Sequence, residues 1–175
     1  LIGFADDYAK VTKQTHAGVS GRVRLLAGFA IALIASLWAM WLHPEPLAGK
    51  LAFPVFKAFL LDLGWLFVPF GMLVIVGAAN AVNLTDGLDG LAAGASVMTL
   101  GAYTLLSVWQ YGQNCQFGEF ARCYDVRDPL DLAVFAAAAA GACFGFLWWN
   151  TAPAGIFMGD TGSLSLGGAI AALAI

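Results

Sequence analysis

Leu63 to Trp109 reads LGWLFVPFGMLVIVGAANAVNLTDGLDGLAAGASVMTLGAYTLLSVW. No charge occurs from Leu63 to Thr85 or from Gly90 to Gly118, and the short segment between them holds Asp86 and Asp89. Each apolar stretch reaches the roughly 20 residues that carry a helix across a bilayer. The polar segment Asn80-Ala-Val-Asn-Leu-Thr-Asp-Gly-Leu-Asp-Gly90 then reads as a turn at a membrane face between two spans.

Two further uncharged stretches, Leu25 to Leu42 and Leu132 to Gly159, have the same character. With 61% hydrophobic and only 11% charged residues, the chain has too little polar surface for a soluble domain, where about a quarter of residues are charged. The expectation is an all-α, polytopic transmembrane helical bundle with its surface in the lipid bilayer. Four complete spans are predicted, near Leu25–Leu42, Leu63–Ala81, Leu91–Trp109 and Leu132–Trp149. Pro69 should kink the second.

The run from Leu1 to Arg24 is mixed and polar, and an apolar run opening at Thr161 continues to Ile175. Partial spans are therefore expected at each end, and residues 1–175 are expected to be one transmembrane catalytic domain incomplete at both termini. Leu51 to Leu61 is too short to cross and contains Lys57, so it is expected to lie at the interface.

With that segment not crossing, Asp6-Asp7, Asp86/Asp89 and Asp160 are each separated by two crossings and emerge on one face. Basic residues flank both faces about equally and do not orient the chain. The small-residue pairs Gly90/Gly94 and Gly141/Gly145 have the spacing of close helix packing. A net charge of −3 and the lack of a basic stripe exclude a nucleic-acid partner. Of three cysteines, Cys143 is expected to be packing, and Cys115 and Cys123 are near enough in sequence for a disulfide or to remain thiols. A homo-oligomer stays open.

Ionisable groups at membrane depth are costly and therefore mark function. In Asp6-Asp7-Tyr8-Ala9-Lys10, two carboxylates and a lysine three to four residues on share a helix surface, which is also the pattern of an ordinary ion pair. Asn80, Asn83, Asp86 and Asp89 recur every third residue, near one helical face. Asp86 or Asp89 could equally be the N-cap of the next span. In Phe157-Met-Gly-Asp-Thr-Gly-Ser163, Asp160 is either an N-cap or a ligand for magnesium, which takes one or two carboxylates together with substrate phosphates.

Acids on three segments meeting on one face, with Lys10 beside them, match a pyrophosphate-cleaving site, where a hard cation offsets charge and a carboxylate handles the incoming oxygen. No GxxxxGK[ST], GxGxxG or HExxH string is present. An ion-coupled transporter would place its acids within spans rather than at their ends, and a structural scaffold leaves them unexplained.

Three strings, Gly3-Phe-Ala-Asp-Asp-Tyr-Ala-Lys10, Asn80 to Leu91, and Phe157-Met-Gly-Asp-Thr-Gly-Ser-Leu-Ser-Leu-Gly-Gly168, resemble the polyprenyl-phosphate N-acetylhexosamine-1-phosphate transferase superfamily. The resemblance is closest to its phospho-N-acetylmuramoyl-pentapeptide transferase family. It implies transfer of phospho-MurNAc-pentapeptide from UDP-MurNAc-pentapeptide to undecaprenyl phosphate, giving lipid I and UMP, at the cytoplasmic face of a bacterial inner membrane. A sister family using a UDP-N-acetylhexosamine shares the acidic strings.

The resemblance further implies Mg2+ as cofactor, with Asp160 as principal metal ligand. Asp6 and Asp7 would be the paired acids that deprotonate or orient the lipid phosphate, and Lys10 a phosphate contact. It places the nucleoside pocket on Asn83, Asp86, Gly87, Leu88, Asp89, Asn150 and Phe157, with the Phe157 ring offered to uracil. The family's histidine-rich motif is not among these residues, so residues 1–175 alone are expected to be inactive.

Overall fold

The computed structural model describes residues 1–14, 18–42, 49–53, 56–115 and 127–175. The order is α1 (Ile2–Lys13), α2 (Gly21–Leu42), β1 (Lys50–Phe53), β2 (Phe56–Asp62), a 3-10 turn (Gly64–Leu66), α3 (Phe67–Thr85), α4 (Leu91–Gly112), α5 (Pro129–Asn150) and α6 (Gly159–Ala174). Four segments, Gly21–Leu42, Gly64–Thr85, Leu91–Gly112 and Pro129–Asn150, are long and apolar enough to cross a membrane. They coincide with the four expected spans, and the chain is a multi-pass membrane protein.

One expectation gains a conformation and another changes. Leu51–Leu61, expected at the interface, lies in an antiparallel hairpin of β1 and β2, with Lys50 opposite Asp62 and Leu51 opposite Leu61. A hairpin satisfies its backbone groups across the pair without the length a crossing helix needs. Pro69 falls in the first turn of α3, directly after the 3-10 turn. There its missing N–H has no intrahelical acceptor to lose, so it starts a helix instead of bending one.

The chain divides into two compact units, Leu1–Ala81 with Asp160–Ile175, and Val82–Gly159. In the first, helices meet through small residues. A Cβ on Gly167 of α6 would stand 2.5 Å from the Cα of Ala79 in α3, and one on Gly71 of α3 would stand 2.6 Å from Ser36 Oγ in α2. Since lipid tails are as apolar as leucine, such backbone-to-backbone fits are what draw membrane helices together.

In the second unit α4 packs along α5. Ala93, Ser96, Leu100 and Ser107 are buried on α4, and Ala133, Ala136 and Cys143 on α5. Their spacings of three, four and seven put each set on one helical face. Of the expected glycine pairs, Gly90 meets α5, where an added Cβ would lie 3.4 Å from Leu147, and the other three do not. A Cβ on Gly94, Gly141 or Gly145 would meet nothing within 4 Å, so alanine and serine rather than glycine form the seam. Cys143 is free and buried, as expected of a packing residue. Cys115 is disulfide-bonded, and Cys123 lies outside the described residues.

Candidate active and metal site

Asp6, Asp7 and Lys10 project from one side of α1 because residues three and four apart on a helix are neighbours. The Lys10 ammonium stands 2.6 Å from Asp6 Oδ2 and 3.8 Å from Asp7 Oδ1. It also reaches Asp160 Oδ2 at 2.5 Å, across 150 residues of sequence. The three carboxylates that the sequence singled out are therefore gathered in the first unit, with ligand oxygens all within 4.8 Å of one another.

The close approach of α1 to the start of α6 depends on Gly3. A Cβ there would lie 2.6 Å from the Asp160 carbonyl carbon and 2.7 Å from Thr161 Cα, so only glycine lets the two backbones touch. Asp7 then closes the contact. Its Oδ2 accepts the Thr161 N–H at 2.8 Å and the Thr161 hydroxyl at 2.5 Å. The first turn of α6 is thus capped by a side chain from α1, and Asp160, in that same turn, reaches Lys10 with its Oδ2.

The two adjacent acids sit in different surroundings. Asp6 is 2% exposed, with Oδ1 accepting the Val19 N–H at 2.7 Å. Its Oδ2 has no well-angled hydrogen bond and is compensated by the Lys10 charge at 2.6 Å. Asp7 is half-buried and keeps Oδ1 toward the cluster. Gly18 belongs to the same arrangement, since a Cβ there would fall 2.5 Å from an Asp6 oxygen.

Lys10 is held well above the usual lysine range, first by its hydrogen bond to Asp160 and then by its close pairing with Asp6, so it is a fixed cation and not a base. Arg24, which the sequence reading passed over as a pre-span basic residue, brings a second cation to 3.6 Å from Asp160 Oδ2. Two cations against three carboxylates leave the cluster slightly negative. An all-oxygen donor set of this kind suits a hard divalent ion that retains water and takes further oxygens from phosphate.

The remaining candidates lie in the second unit, on the turn after α3 and the turn after α5. Asn83 and Asp86 are half-buried; Gly87, Leu88 and Asp89 are exposed, and so is Phe157. Neither aspartate caps α4. The N-cap is Gly90, in the left-handed region at φ 76°, and it has no side-chain cap. Asn150 is 3% exposed and bonded to both turns, through the Gly90 N–H at 3.1 Å and the Ile156 carbonyl at 2.9 Å. Asp89 Oδ2 accepts the Ala154 N–H at 3.1 Å.

Comparison with known proteins bears on the whole chain. It is 55% identical over 175 residues to a phospho-N-acetylmuramoyl-pentapeptide-transferase of Ruegeria sp. (strain TM1040), covering 100% of this chain and 48% of that protein. It is 54% identical over 175 residues to the protein of that name from Dinoroseobacter shibae, again covering 100% of this chain and 48% of the relative. With the protein of that name from Streptomyces griseus it shares 48% identity over 188 aligned residues, which cover 100% of this chain and 51% of the relative. The chain thus spans about half the length of the curated relatives it matches. The match to the family described as Glycosyl transferase family 4 runs over residues 1–175, through all three acidic strings, and the chain belongs to that family.

Proposed function

We propose that the protein carrying this chain transfers phospho-MurNAc-pentapeptide from its UDP carrier to undecaprenyl phosphate, giving lipid I and UMP at the cytoplasmic face of a bacterial inner membrane. The observation that carries the proposal is the gathering of Asp6, Asp7 and Asp160 within 4.8 Å around the Lys10 ammonium. The name shared by the relatives favours the muramyl substrate over a UDP-N-acetylhexosamine. The acids lie on the short α1 and at the start of α6, outside the four span-length segments, which favours surface chemistry over ion-coupled transport.

Phosphoryl transfer asks little covalent chemistry of a protein and much positioning and charge neutralisation. Asp160 and the inward Oδ1 of Asp7 would hold a magnesium ion, and the bound ion would supply charge neutralisation on the pyrophosphate. Lys10 and Arg24 supply fixed positive charge to the phosphate oxygens of donor and acceptor. A phosphomonoester loses its second proton near pH 6, so the acceptor is mostly dianionic at neutral pH. Asp7, the more open acid of the pair, orients that phosphate. Asp6, enclosed by Val19 and Lys10, fixes the lysine. By motif, the nucleoside end of the donor falls to Asn83, Asp86, Gly87, Leu88, Asp89 and Phe157.

The test is UMP release by the intact protein carrying this chain, with and without Mg2+, for the wild type and for Asp6→Asn, Asp7→Asn and Asp160→Asn. Loss of magnesium-dependent release in Asp160→Asn and Asp7→Asn is expected. Wild-type release indifferent to chelator, or an Asp160→Asn protein with full activity, would sink the proposal.

A further inference from the structure

We propose that Asn150 is a positioning residue, an amide latch that joins the turn after α3 to the turn after α5 and so fixes the surface that meets the nucleotide. The motif resemblance would make it a ligand contact, whereas in this structure both ends of its buried amide are engaged within the protein. Its Oδ1 accepts the Gly90 N–H at 3.1 Å, its Nδ2 donates to the Ile156 carbonyl at 2.9 Å, and the residue is 3% exposed. The amide cannot be turned over: the reversed group would set NH2 against an N–H and oxygen against a carbonyl.

Gly90 is shaped for this contact. At φ 76° it occupies the left-handed region that glycine enters without strain, which turns its N–H away from α4 and toward Asn150. Its carbonyl meanwhile accepts the Gly94 N–H at 2.9 Å as the first bond of α4. A second bond between the same turns, Ala154 N–H to Asp89 Oδ2 at 3.1 Å, lies beside the first. The 151–156 turn is closed on itself by the Gly155 N–H donating to the Trp149 carbonyl at 2.9 Å.

The latch therefore ties segments 60 and 65 residues apart in sequence, and the two turns it joins carry the exposed side chains of Leu88, 69% exposed, and Phe157, 76% exposed. Prepositioned apolar surface of this kind costs a planar base little ordering on binding. The latch itself stands on the hydrogen bonds alone; its effect on the nucleotide rests on the function proposed above.

Hydrogen exchange on the intact protein without nucleotide, paired with steady-state kinetics in UDP-MurNAc-pentapeptide, tests both parts. In the wild type, the Gly90 and Gly155 amides should be among the slowly exchanging ones of their turns. Asn150→Ala should speed both by about tenfold, the factor expected when one buried hydrogen bond is lost. Asn150→Asp keeps the acceptor for Gly90 and removes the donor to Ile156, so only the 151–156 amides should speed up. KM for the UDP-sugar should rise by about tenfold in both variants, with kcat within about threefold, whereas simple loss of folded protein would lower kcat alone.

Rapid exchange of Gly90 in the wild type would overturn the latch, and this reading needs no variant to fold. Variants with wild-type exchange and lost nucleotide affinity would show Asn150 to be a direct contact and overturn it too. Loosened turns with unchanged KM would overturn the link to the nucleotide. A wild type that shows the exchange pattern and turns over no UDP-sugar would bring down the proposed function while leaving the latch in place.

Discussion

Asp7 on α1 caps the helix that carries Asp160, taking both the N–H and the hydroxyl of Thr161 on a single carboxylate oxygen. One acid thereby sets the position of another 153 residues further on, and the pair behaves as one unit. Thr161→Val keeps the N–H contact and removes the hydroxyl, a loss of about 1.5–3 kcal/mol for a hydrogen bond to a charged group. Activity should fall by about tenfold or more in Thr161→Val and return in Thr161→Ser. Equal activity in all three proteins would show that the hydroxyl does not hold Asp7.

Lys10 offsets the cluster that a metal ion would also offset, so the two compete for the same oxygens. Lys10→Met should lower turnover by at least about a hundredfold, since the proposed phosphate contact is lost, and should also lower the concentration of divalent ion needed for half-binding. Mn2+ titration followed by electron paramagnetic resonance reads the second effect without relying on activity. Weaker Mn2+ binding in Lys10→Met would contradict the competition.

The raised pKa of Lys10 fixes the sign of its pH dependence. A lysine held above its unfolded value contributes its full stabilisation below about pH 10.4 and loses it only as pH rises through the higher folded value. Between pH 6 and about 10, then, Lys10 should add no slope to stability or to the rate. Reductive methylation of the folded protein should find Lys10 the slowest of its lysines across that window. Fast modification near pH 8 would mean that Asp160 and Asp6 do not hold the proton.

The four spans were legible because a bilayer imposes length and apolarity on each segment separately, and Asp6–Lys10 was legible because helical spacing is local. Arg24 beside Asp160, Val19 on Asp6 and Thr161 on Asp7 were not, since each joins segments whose approach is set by packing and not by spacing. Glycine shows the same division. Of the regularly spaced pairs Gly90/Gly94 and Gly141/Gly145, Gly90 alone meets the facing helix, whereas the tight approaches between helices in the first unit are made by Gly3, Gly71 and Gly167, which form no pattern along the chain. The hairpin at Lys50–Asp62 escaped for a related reason: an apolar run of that length fits a strand pair and a surface helix alike.

Arg24 offers a way to separate charge from shape at Asp160. It lies 3.6 Å from Asp160 Oδ2, beyond a good hydrogen bond, so its contribution is mainly electrostatic. Arg24→Lys should retain most activity, and Arg24→Leu should lose about tenfold or more, with the loss deepening as salt is lowered because the missing attraction is then less screened by ions. An Arg24→Leu protein as active as Arg24→Lys would assign the residue to the membrane surface.

Gly3 and Gly141 make a matched pair of substitutions. Gly3→Ala places a methyl group into the backbone of Asp160 and Thr161, and the neighbour cannot yield because it is main chain at the start of α6. Overpacking of this sort costs about 1–3 kcal/mol, and here the displacement falls on the bond between Asp7 and Thr161. Activity should drop by about a hundredfold while the protein remains in the membrane fraction, since a shift of about 1 Å at a positioned group has that effect. Gly141→Ala, with nothing within 4 Å of the added methyl group, should leave activity within about twofold and raise thermal stability slightly through helix propensity. If Gly3→Ala matched Gly141→Ala in both measurements, α1 would not rest on α6 as described, and the gathering of the three carboxylates would lose its cause.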